Sequence, residues 1–99
     1  MKERKRKIFL KNFERRLSNG DRAIIEVIDV NDPKYEDGVM YTFRCLSENG
    51  ETLFAVENSH GVPHVHLKGR KFETNWGWKI AFEKFDEMLR ERIRETGVE

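Results

Sequence analysis

This sequence has only one cysteine, Cys45, and no apolar run close to the roughly 18 residues that a membrane-spanning helix needs. A lone thiol cannot form an internal disulfide or build a cysteine-based metal cage, which excludes disulfide scaffolds and zinc fingers. The basic start also lacks the apolar stretch and small-residue cleavage site of a secretory signal. We therefore expect a cytoplasmic protein that does not bind membranes.

The usual sequence signatures of nucleotide-binding and hydrolase sites are also missing. No Gly-x-Gly-x-x-Gly, Walker-type or Gly-x-Ser-x-Gly segment occurs. Glutamine is absent as well, whereas Glu, Lys and Arg together supply 32 of the 99 residues. This bias is typical of hyperthermophile proteins, so we expect a heat-loving source.

Length and composition predict one small domain. Ninety-nine residues suit a single core, and 37% hydrophobic with 37% charged residues implies a small core under a heavily ionised surface. We expect residues 1–99 to form this domain, with residues 1–7 as a frayed basic tail.

Positive charge is concentrated at the N-terminal end. Residues 1–16 contain eight Lys and Arg against two Glu, a net charge of +6, whereas residues 17–99 carry a net charge of −5. Such a segment can contact nucleic-acid phosphates or an acidic protein, although a solvated tail has the same composition. The cations expected to bind nucleic acid here are Lys5, Arg6, Lys7, Lys11 and Arg15.

Apolar residues at four-residue intervals predict an N-terminal helix. Phe9, Phe13 and Leu17 would form one stripe, with charged side chains on the other side facing water. The helix would end at Asn19-Gly20.

Four segments after this helix predict strands. Residues 23–30 and 64–67 are short and apolar or β-branched, and residues 39–47 alternate. Asn49-Gly50 predicts a type I′ hairpin turn that leads into the remaining strand, because that turn requires two positive φ angles. The register imposed by this turn pairs Cys45 with Phe54, Phe43 with Val56, and Arg44 with Ala55.

The C-terminal segment has helical periodicity. Asn75 would cap the helix, and arginines near its end would complement the helix dipole. Its apolar stripe consists of Ala81, Phe82, Phe85, Met88, Leu89 and Ile93. The predicted fold is α+β: an N-terminal helix, a four-stranded, mainly antiparallel sheet, and a C-terminal helix packed on one face of that sheet.

All three histidines, His60, His64 and His66, fall within seven residues. If residues 64–68 are extended, His64, His66 and Lys68 share one face while the intervening aliphatic side chains point into the core. This periodicity predicts that the imidazoles face solvent, near the loop that carries His60.

Such a cluster suits cleavage of RNA by attack of its own 2′-hydroxyl. Imidazole titrates near neutral pH, so two histidines can take a proton from one oxygen and give one to another. Cations would hold the phosphate and its developing charge, and the nearby candidates are Lys68, Arg70 and Arg44. The reaction requires no metal or cofactor, and we expect none.

Other interpretations of these residues stay open. The histidines could be structural and bind backbone carbonyls, or the His-x-His pair could ligate zinc, copper or nickel together with His60. A non-catalytic module could bind RNA or a protein through the basic N-terminal helix. Trp76 and Trp78 could stack on bases, but core packing of at least one indole is favoured.

Several short motifs together resemble the TumE family, small archaeal and bacterial proteins classed as toxins of toxin–antitoxin pairs. The resemblance covers about residues 23–93, and its motifs are Tyr35 to Phe43, Val56 to Asn58, His60-Gly61, Pro63 to His66 and Phe82 to Leu89. It implies growth inhibition by attack on RNA or the translation apparatus, and neutralisation by a cognate antitoxin protein. A homodimer of this chain is a further assembly that we consider, besides the complex with an antitoxin.

The resemblance also implies a set of site residues. The positions of this sequence that match the family's motifs are Asp37, Tyr41, Asn58, His60, His64 and His66. Glu57 stands where many relatives have an aspartate.

Overall fold

The chain folds as one antiparallel sheet of six strands, followed by a helix. The computed structural model describes residues 8–35 and 38–96. The strands lie in the sheet in chain order, and the elements are β1 (Ile8–Arg16), β2 (Arg22–Asp29), β3 (Val39–Leu46), β4 (Thr52–Glu57), β5 (His64–Leu67), β6 (Arg70–Glu73) and α1 (Trp78–Glu95). The prediction of four strands between two helices is therefore wrong in its number of strands and in its N-terminal helix.

The segment predicted as the N-terminal helix is strand β1. It pairs with β2 along its length, with Phe13 opposite Ile25. A four-residue spacing is close to one helical turn, but it is also a multiple of the two-residue repeat of a strand. The spacing of Phe9, Phe13 and Leu17 therefore fits either structure as a sequence pattern, and pairing with β2 decides for the strand. In that strand a register shift between Phe9 and Lys11 places Phe9 opposite Ile28, on the other face from Phe13.

Asn19-Gly20, predicted to end a helix, forms the turn of the β1–β2 hairpin. The Gly20 N–H donates to the Leu17 carbonyl (3.1 Å), and the Leu17 N–H donates to the Asp21 carbonyl (2.8 Å). Gly20 adopts φ +92°, the left-handed conformation that closes a three-residue hairpin loop. The same residue type ends helices, so the local signal did not distinguish the two outcomes.

The β3–β4 hairpin has the predicted register but a different turn. Gly50 has φ +87°, whereas Asn49 does not have the positive φ that a type I′ turn requires, and the Gly50 N–H donates to the Ser47 carbonyl. A register shift after Cys45 then restores the pairing. The predicted pairs of Cys45 with Phe54, Phe43 with Val56, and Arg44 with Ala55 are confirmed.

The tight turn with two positive φ angles lies further along the chain. Lys68 (φ 52°) and Gly69 (φ 76°) connect β5 directly to β6, with Leu67 opposite Arg70. The sequence analysis predicted residues 64–67 as the last strand of the sheet. Lys68 and Gly69 instead fold the chain back and add a sixth strand beside the histidines.

One face of the sheet packs against α1 and forms the core. Ala81, Phe85 and Leu89 recur every four residues on α1 and are buried. The fully buried Phe85 ring contacts those of Phe43 and Phe54, with centroids 5.7 and 5.6 Å away. The helix therefore lies against β3 and β4, and the other face of these strands is left for the histidine-bearing side chains.

A partly buried ion pair joins the end of α1 to the first hairpin turn. Arg92 Nε donates to Asp21 Oδ2 at 2.9 Å, and the Asp21 side chain is only 6% exposed. Cys45 belongs to the same core, and burial together with the Asp21 charge raises the pKa of its thiol to about 11, against an opposing effect of Arg92. The thiol is therefore protonated at neutral pH and is a poor nucleophile.

The helix begins later than the predicted cap. Gly77 rather than Asn75 is the N-cap residue, and as a glycine it makes no side-chain capping hydrogen bond. Trp76 and Trp78 are half-buried against the core, in agreement with the favoured packing of at least one indole. Across the described ranges, no helix has both the length and the apolar character needed to cross a membrane.

Candidate functional site

Antiparallel pairing arranges polar side chains in rows on the sheet face that α1 does not cover. Residues directly opposite one another on neighbouring strands have their Cβ atoms about 5 Å apart on the same face. One row consists of Arg44, Ala55, His66 and Lys71, and the next consists of Thr42, Glu57, His64 and Glu73. The backbone register therefore places His64 and His66 beside Glu57.

His64 is buried, with 4% of its surface exposed. Its Nδ1 lies 2.8 Å from the Val62 carbonyl oxygen, so Nδ1 carries the hydrogen and donates it. The prediction that both imidazoles face solvent is wrong for His64, because its ring is held against the Val62 carbonyl and the His66 ring, whose centroid is 4.8 Å away.

The second nitrogen of His64 has no such constraint. The structure gives Nε2 no hydrogen bond within the described residues, and no fully buried side-chain nitrogen or oxygen there lacks a partner. Nε2 is therefore not completely buried, although His64 as a whole is only 4% exposed. It can accept a proton or a metal ion.

His66 is the solvent-facing member of the pair, with 40% of its side chain exposed. Its Nε2 lies 3.5 Å from Glu57 Oε2, and the other Glu57 oxygen accepts a hydrogen bond from the Ser59 hydroxyl. A carboxylate in this position favours the tautomer with hydrogen on Nε2, which leaves Nδ1 free to accept a proton. Glu57 and Ser59 thus orient the exposed imidazole.

His66 and Glu57 line a groove of about 500 Å³, which we call the cationic groove. Its charged lining residues are Arg44, Lys68, Arg70, Lys71 and Glu57. The structure gives these four cations no ion-pair partner within residues 8–35 and 38–96. The three cations that the sequence predicted as phosphate ligands, Arg44, Lys68 and Arg70, therefore lie in one groove with His66.

Asn58 serves the fold rather than the groove. It is 4% exposed, its Oδ1 accepts the Tyr41 N–H at 2.7 Å, and its Nδ2 donates to the Val39 carbonyl at 3.0 Å. Both ends of the amide are therefore committed to the backbone of β3. These bonds attach the loop that follows β4 to the neighbouring strand.

Replacing Asn58 with alanine should lower the free energy of unfolding by about 2–4 kcal/mol, because it leaves two buried backbone groups unpaired at about 1–3 kcal/mol each. Chemical denaturation measures this loss. Asn49→Ala, in an exposed turn, is the matched control and should change stability by less than about 0.5 kcal/mol. Equal stability of the two variants would show that the Asn58 bonds do not hold the loop.

The remaining predicted catalytic residues do not join the histidine pair. Tyr41 lies on the core face, where its ring stacks on Phe43 and its hydroxyl donates to the Trp76 carbonyl at 2.9 Å. His60 is exposed in the loop before β5 and does not belong to the group formed by Glu57 and the two other histidines. Asp37 lies outside the described residues.

The N-terminal cations are also separate from the cationic groove. Lys11 pairs across the sheet with buried Val27, and its Nζ lies 5.5 Å from the centroid of the Phe82 ring on α1. Arg15 pairs with Ala23 on that same face. Lys5, Arg6 and Lys7 precede the first described residue. The described part of the predicted nucleic-acid-binding set is therefore divided between the two faces of the sheet.

Three residues of the site were not predicted. Glu57 was noted only by its position in the family motif, and Ser59 and Lys71 were not assigned a role. Extending the hairpin logic to the next pair of strands would have placed Glu57 opposite His64, as the register does. Lys71 could not be placed without the turn at Lys68-Gly69, which brings β6 beside β5.

Comparisons with known proteins identified no relative of this chain. Neither a family model, nor a curated protein, nor a solved structure matches the chain. The resemblance to the TumE family therefore stays a prediction from the sequence motifs. The function is therefore inferred from the geometry of the sheet face that α1 does not cover.

Proposed function

We propose that this protein is the toxin of a toxin–antitoxin pair and that it cuts RNA in the cationic groove. The observation that carries the proposal is the shared groove of His66, Glu57 and four cations. An imidazole next to a carboxylate supplies acid–base chemistry, and the cations of the groove supply phosphate binding.

The cations act first, by holding the RNA backbone. Lys71 lies next to His66 in its row, Arg44 lies beyond Ala55 in the same row, and Arg70 lies on the same short strand as Lys71. Cations at these positions bind phosphate oxygens and stabilise the extra negative charge that develops on the non-bridging oxygens during the reaction. The scissile phosphate is thereby placed beside the imidazole.

The histidines then perform the proton transfers. His66 Nδ1 takes the proton of the RNA 2′-hydroxyl, whose oxygen attacks phosphorus while the bond to the 5′-oxygen breaks. His64 enters the reaction as the imidazolium, with Nδ1–H held by the Val62 carbonyl, and gives its Nε2 proton to the departing 5′-oxygen. The products are a 2′,3′-cyclic phosphate and a 5′-hydroxyl, and Glu57 holds His66 in the productive tautomer.

The biological setting proposed here is growth control in the cytoplasm. Expression of the chain should stop growth, and expression together with the product of the adjacent gene should restore it. Growth unaffected by expression would count against the toxin assignment. This test concerns the class of protein and is separate from the chemistry.

The chemistry is tested with metal-free protein and a mixed RNA substrate in the presence of a chelator. We expect cleavage that leaves 2′,3′-cyclic phosphate ends. A substrate of identical sequence with 2′-deoxy sugars is the control and should stay intact, since it lacks the attacking hydroxyl. Uncut RNA, or cleavage of the deoxy substrate, would contradict the proposed mechanism.

RNA affinity should depend on the cations of the groove. Removing Arg44 as Arg44→Ala should weaken binding and reduce the slope of log affinity against log salt by about 0.7, the value expected for one lost phosphate contact on a single strand. Binding isotherms at several salt concentrations measure this change. Lys84→Ala, on α1, is the matched control, and equal slopes for the two variants would contradict binding in the groove.

A further inference from the structure

We propose that Glu57, His64 and His66 form a binding site for one divalent transition-metal ion. One potential ligand atom from each residue lies within 4.8 Å of the others. Two imidazoles and one carboxylate are a ligand set that zinc, iron and related ions use, with further positions open to water or substrate. The sequence interpretation had placed His60 in such a set, but the structure brings Glu57 to this position instead.

The orientation of His64 suits metal binding. A ligating imidazole commonly donates its other N–H to a backbone carbonyl or a carboxylate, which fixes the tautomer and the ring orientation. His64 makes such a bond, with Nδ1 donating to the Val62 carbonyl at 2.8 Å, and its Nε2 is the free nitrogen. The buried ring thus has the tautomer that a metal ligand needs before any ion arrives.

Glu57 and His66 are the other two ligands of the proposed metal site. Glu57 lies opposite His64 on the neighbouring strand β4, and His66 lies two residues after His64 on β5. Glu57 is held by the Ser59 hydroxyl through one oxygen, and its other oxygen already lies 3.5 Å from His66 Nε2. Ligands about 2.1 Å from a tetrahedral ion lie about 3.4 Å from one another, so side-chain shifts of about 1 Å would close the site. Strand pairing between β4 and β5 fixes the backbone positions of all three residues.

The consequence for activity rests on the proposed function. An ion bound at Nε2 of His66 leaves the ring hydrogen on Nδ1, the atom proposed to accept the proton of the 2′-hydroxyl. The ion also occupies Nε2 of His64. Metal binding and metal-free RNA cleavage therefore compete for the same nitrogens, and zinc acts as an inhibitor of the cleavage reaction.

Zinc titration of the metal-free full chain by isothermal calorimetry tests the site, with Co²⁺ absorption as a second readout of the ligand geometry. We expect one ion per chain. Glu57→Gln should weaken binding at least about tenfold, because a neutral amide replaces a charged ligand. Glu26→Gln is the matched control, since Glu26 lies in the same row two strands away, and it should bind as the unaltered chain does. Circular dichroism checks that both variants are folded.

The outcomes separate this inference from the proposed function. If zinc does not bind stoichiometrically, or if the Glu57→Gln and Glu26→Gln variants bind it equally well, the proposed metal site is wrong. This result would leave the proposal of RNA cleavage standing. Cleavage that continues at full rate with zinc bound overturns the inhibitory role. Metal-free protein that never cuts RNA, yet binds one zinc through Glu57, contradicts the proposed function and supports the metal site.

Discussion

Replacing His66 with glutamine is expected to lower the rate of RNA cleavage by about two to four orders of magnitude, the usual contribution of a general base. Glutamine keeps a polar side chain of similar reach, but its amide cannot accept a proton at neutral pH. Because His66 is half-exposed, the exchange should leave the fold and RNA affinity largely unchanged. Cleavage rates at saturating RNA, in the presence of a chelator, measure the loss.

His60→Gln provides the matched comparison for this experiment. His60 is exposed in the loop before β5, apart from the groove, so its variant should cut RNA within about threefold of the normal rate. The comparison separates two hypotheses, since the sequence alone placed both histidines in the site. A rate lost in the His60 variant and kept in the His66 variant would refute the assignment of the base.

Replacing Phe85 with alanine should destabilise the protein by about 3–5 kcal/mol, because it leaves a large cavity in a core that cannot fully collapse. Phe85 is fully buried and joins α1 to β3 and β4 through the rings of Phe43 and Phe54. For a domain of this size each kcal/mol lowers Tm by about 4–8 °C, so a fall of more than about 12 °C is expected. Thermal and chemical denaturation both measure it.

Ile80→Ala is the matched control on the same helix. Ile80 is 51% exposed, and alanine has the higher helix propensity, so this variant should unfold within about 0.5 kcal/mol of the unaltered chain. A similar loss in both variants would contradict the assignment of the Phe85 effect to its packing on the sheet. A loss of stability in the Phe85→Ala variant alone would indicate that packing on the sheet is what mainly stabilises the helix.

The sequence predicted those elements whose signals have only one structural solution. The pairing of Phe43 with Val56 followed from alternation and a turn, and it survived a change of turn type because a register shift compensated. The apolar stripe of α1 also includes the neighbours Ala81 and Phe82 and the three-residue step from Phe85 to Met88, which fit a helix but not a strand. Its members Ala81, Phe85 and Leu89 are buried as expected. The prediction of an N-terminal helix is wrong because the four-residue spacing of its apolar residues suits a strand as well as a helix.

The sequence identified several residues of the candidate site but could not predict their spatial arrangement. Arg44, Lys68 and Arg70 do line one groove with His66. The sequence could not show that Tyr41 faces the opposite side or that both ends of the Asn58 amide are occupied by β3, since these facts depend on strand pairing. Lys71 entered the groove only because an unpredicted strand, β6, pairs with β5.

The sequence by itself determined the chemical resources of this protein: three clustered histidines, nearby cations, one cysteine and a helix with a single apolar face. Tertiary structure decided how they are combined, because a residue's neighbours across a sheet are set by register and by the order of strands. Antiparallel pairing of β4 with β5 brought Glu57 beside both His64 and His66, and it turned a histidine-rich segment into a candidate site.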